Sequence, residues 1–179
     1  MTDHTGLSHD KVGLLMDPQL TSQIVPTEEV ALIEECLTRL IEDTGGNHVL
    51  LLDKSGQVIA SQGDGNRQDI TALGALIAGT FASSREVAKL LREKDFRMLF
   101  QQGVHDNVFI ALIEEQWLLC IIFNKGTHIG LVKVLTKKAT DDLATVLERV
   151  RQQHKARDDV LGSSFRTSME DTIDLLFRD

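Results

Sequence analysis

At 179 residues the chain has room for one domain with tails, or at most two very small ones. Its 42% hydrophobic and 26% charged content excludes wholesale disorder and fibrous repeats. Asp and Glu number 27 against 19 Lys and Arg, a net charge of −8, which argues against a general binder of nucleic acid or anionic membrane, because such binding needs clustered cations.

Residues 1–25 are mixed and polar and contain Pro18, with Pro26 following; they read as a flexible lead-in. They lack a basic start followed by an apolar stretch, so a secretory leader is not expected. No apolar run reaches the roughly 20 residues that a membrane span requires, and a cytoplasmic protein is expected. From Thr27, Val30, Ile33, Leu37, Leu40 and Ile41 recur at three- and four-residue steps, as on one face of a helix. Pro26 precedes that helix and Gly45-Gly46 ends it. Val49–Leu52 and Val58–Ala60 read as a strand pair joined by the turn Asp53-Lys54-Ser55-Gly56.

After a polar loop at Gln62–Gln68, Asp69 is the expected N-cap of a second helix over about Ile70–Arg92. At about 100° per residue, Leu73, Leu76, Ile77, Thr80, Val87 and Leu91 are expected on its sheet-covering face. Ala75, Gly79, Ala82 and Glu86, flanked by Ser83, are expected on the opposite side. Two readings of that stripe stay open: an alanine-rich surface helix, or a smooth face against which another backbone packs closely. Arg97–Gln102, Val108–Ile113 and Trp117–Phe123 read as three hairpin-connected strands, the last apolar on both faces and therefore central. A third helix is expected over about Thr127–Gln153, with Leu131, Val134, Leu135, Leu143, Val146, Leu147 and Val150 on one side. The sum is an α/β/α sandwich, a five-stranded, mainly antiparallel sheet with element order α-β-β-α-β-β-β-α.

The domain is expected to span 26–155, followed by a linker and amphipathic C-terminal tail over 156–179. In the tail, Met169, Ile173, Leu176 and Phe177 fall at i, i+4, i+7 and i+8, with Ser168 as N-cap and Glu170 and Asp171 in the first turn. Such a segment can dock a partner or fold back on its own domain.

Catalysis has no owner in this chain. Gly126-Thr-His-Ile-Gly130 is not followed by the Lys-Ser/Thr of a phosphate loop, and Thr127 stands where a guanine-reading Asn124-Lys125 motif would need Asp. His48, His105 and His128 have no partner at metal-ligand spacing. Asp64-Gly65-Asn66 lacks the closing glutamate of a calcium loop. Ser83-Ser84 lacks the sharp turn of a hydrolase elbow, and Glu114-Glu115 read as solvated turn residues. Cys36 and Cys120 lie within apolar runs and read as packing residues. No metal or cofactor is expected.

The segments VLLLDKSGQVIAS, ITALGALIAGTFASSREVAKLL, FRMLFQQG and LLCIIFNKGTHIGLVKVLTKKATDDL, in this order across residues 27–155, resemble the Roadblock family of dimeric scaffold proteins. The acidic end EDTIDLLFRD resembles the tail of a bacterial branch of that family which acts on a Ras-like GTPase. The resemblance implies a homodimer in which the second helices pack antiparallel and the strands at Arg97–Gln102 pair across the two-fold axis. It implies acceleration of GTP hydrolysis by a GTPase that marks a pole in motile, polarised cells, with the tail linked to nucleotide exchange. It also implies a location at a cell pole. Carried onto this sequence, the partner surface is Ala75, Gly79, Ala82, Ser83 and Glu86 of both protomers, and Glu86 departs from the small residue usual there. A Roadblock dimer that tethers a GTPase without changing its rate is the alternative, and a ligand-sensing domain would require a polar-lined pocket.

Overall fold

The computed structural model describes residues 27–63 and 67–176, with side chains placed for residues 28–63 and 69–152. The lead-in expected at 1–25, the Asp64-Gly65-Asn66 triplet and Phe177 lie outside the described residues. The elements are α1 (Thr27–Thr44), β1 (His48–Asp53), β2 (Val58–Gly63), α2 (Arg67–Leu90), β3 (Met98–Gln102), β4 (Asp106–Ile113), β5 (Trp117–Asn124) and α3 (Ile129–Leu176). This is the expected order of elements.

The five strands run β2-β1-β5-β4-β3, with every neighbouring pair antiparallel. The strand apolar on both faces, β5, is the middle one. Alternation along β1, β4 and β5 feeds two cores. Val49, Leu51, Phe109, Ala111, Leu119 and Ile121 meet α1 and α3 on one face. Leu50, Leu52, Ile110, Leu112, Leu118 and Cys120 meet α2 on the other. Burying both faces of one sheet requires a helical layer on each side, and the sandwich follows.

The tight turn between β1 and β2 is held by Asp53, whose Oδ1 accepts hydrogen bonds from the Ser55 amide (2.9 Å), the Ser55 hydroxyl (2.6 Å) and the Gln57 amide (2.9 Å). That turn is pressed against α2. A Cβ added at Gly74 would lie 2.7 Å from the Gly56 carbonyl oxygen, so the helix crosses the turn backbone to backbone.

Three expectations require correction. The second helix begins at Arg67, so Asp69 is not its cap but lies in its first turn, where a negative charge still faces unpaired N–H groups. The phase of α3 differs at its start: Val132, Thr136 and Ala139 are buried, whereas Leu131 and Val134 are exposed. The doublets Leu131-Val132 and Val134-Leu135 put apolar side chains on two faces at once, and packing chose one. The linker expected at 156–167 is helical, because α3 runs on to Leu176 over 48 residues, about 72 Å at 1.5 Å per residue. Continuing an existing helix needs no new nucleus. Gly162 alone costs about 1 kcal/mol, and no proline follows Pro26.

Candidate functional site: the outer face of α2 and the β3 edge

The sheet-facing side of α2 is formed by Ile70, Gly74, Ile77, Ala78, Phe81 and Ala88, all buried. This arc is centred on Phe81, not on the leucines. Leu76, Val87 and Leu91, expected against the sheet, are 69%, 48% and 62% exposed, and Leu90 is 85% exposed. The error has a simple origin: a wheel weighted by side-chain size follows Leu and Val, whereas the close approach of the β1–β2 turn leaves no room for a side chain at Gly74.

Ala75, Gly79, Ala82, Ser83 and Glu86 are all exposed, as the sequence suggests. A Cβ at Gly79 would meet nothing within 4 Å. The Ser83 hydroxyl donates to the Gly79 carbonyl at 2.9 Å and so turns its polarity back into the helix. Glu86 accepts from Lys89 Nζ at 2.7 Å, with both side chains largely exposed. The charge that departs from a smooth stripe thus has a cation beside it, at the C-terminal end of the helix. Leu76, Val87 and Leu90 flank the small residues, giving an apolar strip with a shallow floor. Sequence reasoning missed these three as surface residues; re-phasing the wheel on Phe81 would have found them.

Strand β3 is one edge of the sheet, β2 the other, and four of the five residues of β3 are exposed. The Leu112 amide bonds the Arg97 carbonyl at 2.9 Å. In an antiparallel ladder bonded pairs alternate, so the registered pairs Leu99↔Ile110 and Gln101↔Val108 face inward. The N–H and C=O groups of Met98, Phe100 and Gln102 therefore point outward, away from β4. An edge of that kind is a template for another strand. The Phe100 ring, 40% exposed, stacks on Phe123 with centroids 6.2 Å apart.

Arg85 is not directed at this surface. Its Nε lies 3.4 Å from Asp95 Oδ1 and its Nη2 3.8 Å from Glu115 Oε2, so it is occupied by two carboxylates of its own chain. Both cysteines are buried. Burial, then the nearby Asp142 carboxylate, pushes the Cys36 thiol up to about 11, and burial pushes Cys120 to about 12. Neither supplies a thiolate near neutral pH. A cavity between α1 and α3, lined by Cys36, Leu40, Leu135 and Ala139 among others, measures about 20 Å³, the space of about one water. An open cleft of about 390 Å³ lies beside the turns at Asp53–Ser55 and Glu115–Trp117. Of the tail residues, Met169, Ile173 and Leu176 lie on the backbone of α3, with their side chains outside the described residues.

Among the described residues, what this arrangement offers is contact area. Solved structures share this architecture. Myxococcus xanthus MglB is 34% identical, covering 71% of this chain and 96% of its own, with a TM-score of 0.66. The gliding protein MglB of Thermus thermophilus is 27% identical over 70% of this chain and 96% of its own, with a TM-score of 0.66. An MglB in a tetrameric arrangement is 26% identical over 71% and 96%, with a TM-score of 0.67. The profile of the Roadblock/LC7 domain matches residues 32–123, from within α1 to within β5 and just over half of the chain. With the sheet order, the outward-facing α2 and this match in agreement, the chain belongs to the Roadblock/LC7 family.

Proposed function

We propose that the protein is an MglB-like regulator of a small Ras-like GTPase, working as a homodimer in bacterial cell polarity and motility. One observation carries the reading: the exposed side of α2 is kept low at Ala75, Gly79, Ala82 and Ser83 and lies in the same layer arrangement as the unpaired edge β3. Two copies joined along β3 would bring two such helices side by side into one platform, relieving the open edge. A partner's backbone can approach that platform closely where Ala75, Gly79, Ala82 and Ser83 line it.

The regulation is conformational in this reading. An arginine finger supplied in trans is worth 10³–10⁵ in rate, yet the arginine in the middle of α2, Arg85, is held by Asp95 and Glu115. The platform instead selects the GTPase conformation in which the GTPase's own arginine and water-positioning glutamine are aligned, and its leverage equals its difference in affinity between the two conformations. The tail residues Met169, Ile173, Leu176 and Phe177 would form a second contact that affects nucleotide release.

The test is turnover by a Ras-like GTPase from the same genome, with and without the protein. The wild type is expected to raise the rate, and Gly79→Arg to abolish capture in a chain that remains folded and dimeric. Capture with an unchanged rate would make the protein a tether; capture surviving Gly79→Arg would remove α2 from the contact.

A further inference from the structure

The connection between α2 and β3, Leu91–Arg97, joins the two elements that carry the proposed dimer. It contains no helix or strand, so its path depends on a few ties. At its start Arg92 adopts φ +58°, a left-handed stop, while the Arg92 amide bonds the Lys89 carbonyl (3.1 Å) and the Glu93 amide the Ala88 carbonyl (2.9 Å). This closes the helix but does not aim the strand.

Aiming falls to Asp95. Its side chain is only 10% exposed, and its buried Oδ1 has no hydrogen-bond partner. The cation beside that oxygen is Arg85, Nε at 3.4 Å. The other end of the same guanidinium lies 3.8 Å from Glu115 on the β4–β5 turn, where Glu114 and Glu115 adopt φ +50° and +63°. Arg85 therefore links α2, the connection and the far turn of the sheet. The nearby Glu86–Lys89 pair is exposed on both sides and within one helix, the kind of pair that contributes little. Asp95 differs: removing its cation leaves a buried carboxylate uncompensated, and the chain must move to hydrate it.

We infer that Arg85 is a positioning residue, which fixes the edge strand β3 against α2 and thereby sets the geometry on which two-fold assembly depends. The inference rests on the homodimer reading above and goes beyond it by assigning its geometric control to one side chain. Arg85 acts through Asp95, within its own chain.

The experiment uses the full chain and three variants, Arg85→Ala, Arg85→Lys and the near-isosteric Asp95→Asn, with Glu86→Gln as control. Sedimentation over a dilution series gives the dimer dissociation constant, circular dichroism reports the fold, and stimulated GTPase turnover is titrated to saturation. Arg85→Ala is expected to raise the dissociation constant at least tenfold, with helix content retained and the saturating rate within twofold of wild type. Arg85→Lys should recover part of the loss, because charge returns without the planar fork. Asp95→Asn should weaken the dimer less than Arg85→Ala, because it removes the buried charge together with the need for a cation. Glu86→Gln should match wild type. If Arg85→Ala fails to fold, the decision passes to Arg85→Lys and Asp95→Asn, and dissociation constants within twofold of wild type for both overturn the inference. So does a folded Arg85→Ala whose dimer is unweakened, or one whose saturating rate falls a hundredfold with binding intact. A wild-type chain that stays monomeric at every concentration overturns the homodimer reading itself, whereas a wild-type dimer with indifferent variants overturns only the role of Arg85.

Discussion

Gly74 and Gly79 stand five residues apart on one helix and have opposite reasons to be small. At Gly74 a methyl group would lie 2.7 Å from the Gly56 carbonyl oxygen, a backbone atom that cannot swing aside, whereas at Gly79 it would meet open space. Gly74→Ala should therefore destabilise the fold by about 1–3 kcal/mol through overpacking. Gly79→Ala should stabilise the isolated subunit by up to about 1 kcal/mol, since glycine is a poor helix former. Urea unfolding of the two variants under conditions that keep the chain monomeric checks both signs. The thiols give a second residue-scale prediction. With Cys36 raised to about 11 and Cys120 to about 12 from 9.0, the native chain keeps protons that the unfolded chain has released. Stability from this source is complete below pH 9 and is lost as pH rises from 9 towards 11–12. The sequence contains no tyrosine to titrate in that window. The urea midpoint should fall above pH 9, and Cys120→Ala should flatten that slope whatever it does to the midpoint at pH 7.

Among the elements, β3 is the edge strand left most exposed. Met98 opens the strand, and its N–H points away from β4, so a proline there removes no ladder bond within the subunit. Met98→Pro should leave the melting temperature of the monomer within a few degrees of wild type and weaken self-association, measured by light scattering across a dilution series. Equal association of wild type and variant would remove the β3 edge from the interface. Helices show where reading by element runs out. The apolar spacing in α1 locates both the helix and its buried side, with Ile33, Cys36, Leu37 and Leu40 inside. In α2 and at the start of α3 the same method finds the helix and misplaces its face. Leu76, Val87, Leu131 and Val134 are on the surface, because apolar residues there lie around more than half the circumference and only a neighbour can choose among them. The small stripe of α2 was legible for the complementary reason: Ala75, Gly79, Ala82 and Ser83 leave one side without bulk regardless of where the core lies.

For the molecule as a whole, the helix α3 is the feature that most alters the expected layout. A tail expected to hang from a polar linker is instead continuous in backbone with the last core helix. Deleting residues from Ser168 onward should leave the dimer intact and change the rate at which the GTPase releases its nucleotide, followed with a fluorescent nucleotide. Dissociation of the dimer on deletion would show that the segment serves assembly instead. Substituting Gly162→Pro, which interrupts a helix by about 3 kcal/mol, should mimic the deletion if the segment must be held out at a fixed angle.

Local chemistry by itself determined the order of elements, the central place of β5 and the Asp53 turn, since each depends on neighbours within a few residues. It also marked Ala75, Gly79, Ala82, Ser83 and Glu86 as one side of a helix. Tertiary structure decided the rest: the rotation of α2 that exposes Leu76 and Leu90, the contact of Gly74 with Gly56, and the capture of Arg85 by Asp95 and Glu115. Those outcomes depend on which backbone comes to lie beside which side chain. Ten residues separate Arg85 from Asp95 and thirty separate it from Glu115, and no periodicity in the chain carries that information; only the packed sheet brings the three charges together.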